Sequence, residues 1–145
     1  MLMIPSVLMR KCLLKFIIKS YSLDRKRFIM PSKNGAISLR TEDVFDIFGL
    51  QNKGKDAMKA VCVEGITKTL SDLTKFTWPI GNLALLQYMF WEKVQPLDDE
   101  AFDPLANEYP LMLNWSENEA KKRDAYDTAY GRGNGTIDDV ISEKY

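Results

Sequence analysis

Residues 25–54 read RKRFIMPSKNGAISLRTEDVFDIFGLQNKG, and the order of signals in this stretch sets the fold class. Phe28, Ile29 and Met30 form a short apolar run that Pro31 ends or confines to a sheet edge. Asn34-Gly35 supplies the positive φ angles of a two-residue hairpin turn, and residues 36–39 form the return strand. Thr41 stands where a capping hydroxyl belongs, and Glu42 and Asp43 suit the positive end of a helix dipole. Val44, Phe45, Ile47 and Phe48 then give a short helix its apolar surface, which Gly49 closes in the left-handed conformation. The spacing predicts a small β-hairpin near residues 27–40 leading into a helix.

Outward from this corner the periodicity is helical. Residues 4–21 read as an amphipathic helix with Ile4, Val7, Leu8, Leu14, Ile17 and Ile18 on one face. Lys11, Lys15 and Lys19 recur on another, and Ser6 is the candidate cap. A basic, acid-poor segment of this kind also fits an organelle transit peptide or a membrane-surface helix. Residues 56–74 read as one helix, or two meeting near Gly65, with Ala57, Val61, Ile66, Leu70 and Leu73 inward. Lys53-Gly54-Lys55 reads as a loop before it, because no phosphate-loop pattern surrounds it.

Trp78-Pro79 and Gly81-Asn82 mark a connection, with Asn82 the cap of the next helix. That helix, LALLQYMFWEKV, is apolar on nearly every side and belongs inside a core that takes Phe90 and Trp91. Residues 95–114 are acidic and broken by three prolines. Asp98-Asp99-Glu100 lacks the spacing of a calcium loop, so a surface loop is expected. Ser116 and Glu119 form a capping box for a peripheral helix, with i, i+4 pairs Glu117–Lys121 and Glu119–Arg123. Lys121-Lys122-Arg123 reads as one charged face, with a nuclear-import fragment or a phosphate contact as the alternatives. The glycines at 131, 133 and 135 read as a stop, and Thr136 caps a further helical turn or begins a frayed end. The expected architecture is mainly α. One helical domain covers residues 1–130, whole or a piece of a larger one, and residues 131–145 form a flexible C-terminal tail.

The 145 residues include no histidine, which removes Ser-His and Cys-His catalysis and His-containing zinc sites from this chain. The two cysteines, Cys12 and Cys62, cannot complete a four-thiolate site, and their apolar neighbours suggest buried thiols. No catalytic, cofactor-binding or metal-binding residues are assigned, and the chain reads as a non-enzyme. No apolar run approaches the ~18 residues of a membrane span, so no membrane partner is expected.

Formal net charge is zero, yet residues 1–40 hold nine Lys/Arg against one acid, and residues 41–145 hold eleven against nineteen. Such a split marks either a basic half packed against an acidic half or an end that faces nucleic acid or membrane. For nucleic acid, the candidate contacts are Arg25, Lys26, Arg27, Lys33 and Arg40, which the hairpin would present to phosphates.

The same stretch is similar to the plant mobile-domain proteins, often labelled "aminotransferase-like". In these transposon-associated sequences a Leu-Thr-x-Glu-Asp-Val segment precedes Ile/Leu-Gly-Leu-Pro and a nearby Gly. The matching residues are Leu39, Thr41, Glu42, Asp43, Val44, Phe48, Gly49, Leu50 and Gly54. The pattern departs at Arg40, inserted after Leu39, and at Gln51, where the family has Pro. The motif covers about a quarter of the chain, and residues 88–139 carry a fainter likeness. Related sequences are sometimes joined to a SUMO-protease-like domain, which this chain lacks. The resemblance implies a transposon-derived plant module without cofactor. It would act in nucleus or cytoplasm through a protein partner or nucleic acid, with no pyridoxal phosphate chemistry despite the label.

Overall fold

The computed structural model describes residues 7–31, 35–49, 53–71, 76, 78–79, 83–95 and 111–137, with the side chains at 53–57 and 114 excepted. The fold is mainly α with two small antiparallel sheets. At its centre runs α4 (Leu83–Lys93), buried continuously from Ala84 to Lys93. Its sequence has no polar face to offer water, so neighbours must cover it on all sides. Helices α1 (Lys11–Lys19) and α2 (Thr41–Phe48) pack directly on it. Trp91 stacks on Trp115 with centroids 4.5 Å apart, and Phe90 meets Phe16 edge to face at 6.0 Å. Of these, the buried Trp91, Trp115 and Phe90 each contribute about 1.5–3 kcal/mol from apolar burial.

The first helix is shorter than its periodicity suggests. Residues 7–10 are non-helical, because their polar backbone groups find partners elsewhere. Gln87 Oε1 accepts the Arg10 N–H at 3.0 Å, and Glu117 accepts the Leu8 N–H at 2.9 Å while pairing with Arg10 at 2.7 Å. The inward face of α1 is Leu13, Leu14, Ile17 and Ile18. This turns Leu8 and Cys12 out to solvent, against the expectation that both are buried. Cys62 is buried as expected. Ile4 and Ser6 lie outside the described residues.

The hairpin forms, with a third strand that periodicity did not announce, but Ile29 pairs with Ala36, so its connection is longer than the expected two-residue Asn-Gly turn. Strands β1 (Tyr21–Ser22), β2 (Arg27–Ile29) and β3 (Ala36–Ile37) make an antiparallel sheet in that order, pairing Tyr21 with Phe28 and Phe28 with Ile37. Gly35 has φ +101°, and its carbonyl accepts the Met30 N–H at 2.8 Å. Helix α2 ends at Gly49 with φ +73°, as its sequence requires. Its start is one residue earlier than expected. Arg40 is the cap position and Thr41 the first helical residue, and the Asp43 carboxylate accepts the Arg40 N–H at 2.8 Å.

Helix α3 (Lys53–Ser71) is unbroken through Gly65 and takes in Lys53-Gly54-Lys55, which sequence placed in a loop. Its buried stripe is Cys62, Gly65, Ile66 and Thr69, with Leu70 beside it. Val61 therefore points outward at 45% exposure, opposite to expectation. The carboxylates at 98–100, the turn residue Asn34 and the cap Asn82 lie outside the described residues.

Helix α5 (Glu117–Tyr130) follows a 3-10 turn at Leu111–Asn114, and Ser116 Oγ accepts the Glu119 N–H at 3.2 Å as the capping box predicts. The expected i, i+4 pairs do not form. Glu117 is drawn away to Arg10, Glu119 pairs with Lys122, and Arg123 turns into the core. Buried at 1% exposure, Arg123 pairs with Asp127 at 3.1 Å and donates to the carbonyls of Trp91 and Val94. It thereby satisfies carbonyls at the C-terminal end of α4, which a helix leaves without intrahelical donors.

Beyond α5 residues 131–137 turn back toward the body, and residues 138–145 lie outside the described residues. Thr136 belongs to β5 (Thr136–Ile137), which pairs antiparallel with β4 (Val94–Gln95), and it caps no helix. Gly133, at φ +83°, lies so close to Pro31, Met30 and Phe16 that a Cβ would meet Pro31 Cδ at 2.7 Å. Residues 131–137 are thus part of the packed body.

Candidate nucleic-acid interface

The basic residues singled out at the hairpin are brought together by two turns and one helix. Between β1 and β2, Ser22 organises the reversal: its carbonyl accepts the Lys26 N–H at 2.8 Å, and its hydroxyl accepts the Arg25 N–H at 3.2 Å. The reversal puts Lys26 at φ +55°, a left-handed conformation uncommon for a residue with a Cβ. Three consecutive cations follow one another around this bend. Arg27 opens β2, whose alternation buries Phe28 and leaves Arg27 exposed.

Opposite them, Arg40 projects from the junction of β3 and α2. This junction is held from beneath by a buried ion pair. Lys93, fully buried at the end of α4, contacts the Asp43 carboxylate at 2.6 Å and donates to the Ser38 carbonyl. Asp43 in turn fixes the Arg40 N–H. Burial pushes the Asp43 carboxyl above its usual range, while Lys93 and the Arg40 N–H pull it back. The three-way contact joins α2 and α4 to the segment between β3 and α2, so the core sets where the Arg40 wall stands.

Between these walls and α3 lies a cavity of about 790 Å³. Arg25, Lys26, Arg27 and Arg40 all line it, and α3 adds Lys59 and Glu64. Its floor includes Tyr21 and Leu39, both largely buried, and Val63. Lys33, the remaining candidate, lies outside the described residues. Lys59 was missed by the sequence reading. The signal that would reveal it is the helix stripe 59, 60, 63, 64, which faces away from the buried stripe of α3. Which element that stripe meets is a tertiary fact.

Five cations therefore share one groove with one carboxylate, Glu64, among the described residues. Among the described residues, Arg25, Lys26, Arg27 and Lys59 make no ion pair, and Arg40 has only a 3.8 Å contact with exposed Glu42. The ion pairs that join the basic half to the acidic half, among the described residues, are Arg10–Glu117 and the looser Arg40–Glu42. Hydrogen bonds from Arg10 and from the Leu8 N–H hold the Glu117 carboxyl below its usual range.

Chemically, the groove presents hydrogen-bond donors and positive charge over a partly apolar floor. Among the described residues, no group of three or more potential metal ligands converges, and no helix is long and apolar enough to cross a membrane. Compared with protein-family models, curated proteins and solved structures, the chain matches none.

Proposed function

We propose that this chain is a non-enzymatic binding module that takes a nucleic-acid backbone in the groove between the three-stranded sheet and α3. One observation carries the reading: Arg25, Lys26, Arg27, Arg40 and Lys59, from three separate stretches of sequence, line a single cavity. Cations collected in one groove, all but Arg40 without an ion pair among the described residues, are the electrostatic footprint of a phosphodiester ligand. Binding would release condensed counterions, so affinity would come mainly from phosphate contacts rather than from base readout. The resemblance of residues 39–54 to the plant mobile-domain proteins supplies the setting, a transposon-derived plant protein working in the nucleus.

The test is fluorescence anisotropy with labelled oligonucleotides, single-stranded and duplex, across a salt series. Affinity should fall linearly in log–log form, and Arg25→Gln/Arg27→Gln should flatten the slope by about 0.7–0.9 per cation removed. Absence of binding to either form at low salt would sink the reading.

A further inference from the structure

Resting on that reading, we infer that the preferred ligand is single-stranded, with a base stacked on Trp78 beside the groove. Three tryptophans occur in the chain. Trp91 and Trp115 are buried against each other, whereas Trp78 is 40% exposed. Its ring meets Phe76 edge to face at 5.1 Å. Above Phe76 stand two ammonium groups from α1, Lys15 Nζ at 5.0 Å and Lys19 Nζ at 5.9 Å.

In sequence these lysines and aromatics are some sixty residues apart, so no basic–aromatic interleaving is visible there. In space they meet at Phe76, whose ring touches the exposed indole and carries the two cations. That combination suits a nucleotide: the base has a π-face for the indole, and its flanking phosphates meet the lysines. A duplex cannot use it, because its bases are already stacked on one another.

The patch adjoins the basic groove. Trp78 and Pro79 line a second cavity of about 280 Å³ with Val61, Gly65 and Lys68 of α3, and Glu64 lines both cavities. A strand leaving the groove would cross α3 at Glu64 and Lys68, which are 3.8 Å apart and both exposed, and arrive at Trp78. Among the described residues that line the two cavities, Glu64 is the one carboxylate.

The experiment uses the whole chain and three probes of about 16 nucleotides, within the span of known single-strand sites: an oligodeoxythymidylate, an oligouridylate and a mixed-sequence DNA duplex. Binding is read by anisotropy and by quenching of tryptophan emission, whose exposed component is Trp78. The single strands should bind more tightly than the duplex and quench that component. Trp78→Ala should weaken single-strand binding about 5- to 150-fold and leave duplex binding unchanged. Lys15→Gln/Lys19→Gln, on a different element, should weaken it too and reduce its salt slope, and Glu64→Gln should strengthen it. The ratio of the deoxythymidylate to uridylate affinities tells DNA from RNA as the source of the strand.

Equal or tighter duplex binding with no quenching would overturn the single-strand inference and leave the groove reading standing. No binding of any probe would overturn both. Burial of Trp78 on concentrating the protein alone would assign the patch to a second copy of the chain and overturn the inference.

Discussion

Lys93 and Arg123 are buried in the core, at 0% and 1% exposure, whereas Arg25, Lys26 and Arg27 stand in solvent around a tight bend. The two sets have the same chemistry and opposite surroundings. Each buried cation has a carboxylate within 3.1 Å and donates to backbone carbonyls as well: Lys93 to Ser38, Arg123 to Trp91 and Val94. A charge removed from water must be met in this way, because an unmatched one costs several kcal/mol. The hairpin cations carry no such obligation and remain available to a ligand. Where a cation is fully paired it holds the fold together, and where it is unpaired and clustered with others it can bind.

The sharpest way to break this contrast is Lys93→Met, which leaves the Asp43 carboxylate buried without its partner. Unfolding in urea should show a loss of about 3–5 kcal/mol near neutral pH. The pH dependence has a defined sign. Burial already raises the Asp43 carboxyl, and losing Lys93 raises it further. Native protein then holds a proton that the unfolded chain releases in the ordinary range near about 3.9. The penalty should therefore be smallest in acid and grow as pH rises through the raised value. Because Asp43 also anchors Arg40, the variant should weaken oligonucleotide binding even where it remains folded.

Arg123→Lys is next in size. Charge is kept for Asp127, but a single ammonium cannot reproduce the forked donation to the Trp91 and Val94 carbonyls. A loss of about 1–3 kcal/mol is expected from carbonyls left short of donors. A stability equal to wild type would show that the pairing with Asp127, not the capping of α4, is what Arg123 contributes.

The smallest effect on stability belongs to Arg25→Gln/Arg27→Gln, which should change the unfolding free energy by less than about 0.5 kcal/mol. The same variant should lose affinity for oligonucleotides. A large destabilisation would instead make these arginines structural and erase the difference between the two sets.

Much of the local structure was legible because it rests on short-range rules. Gly49 closes α2 in the left-handed region, Ser116 caps α5, and α4 lies in the core because its sequence offers water no polar face. The errors fall where a long-range partner outbids a local rule. Leu8 and Arg10 look helical until Gln87 and Glu117 take their N–H groups. Arg123 looks like the end of a charged run until the C-terminus of α4 is placed beside it. Thr136 looks like a cap until β4 supplies a strand to pair with.

The candidate site divides in the same way. Arg25, Lys26, Arg27 and Arg40 were nameable from one stretch, since a hairpin followed by a helix presents them together. Lys59 was not, because helical periodicity identifies a stripe without saying what it meets. Nor was the patch of Trp78, Phe76, Lys15 and Lys19, whose two halves are separated in sequence by α2 and α3.

By itself, then, the sequence determined the helices, the bend, the charge split and the absence of histidine chemistry, all of which follow from composition and spacing over a few residues. Only the tertiary structure decided which cations are consumed in the core and which line the groove. Burial and ion pairing depend on what arrives from the far end of the chain, and Arg25, Lys26, Arg27 and Arg40 line one cavity with Lys59 only because α3 packs beside them.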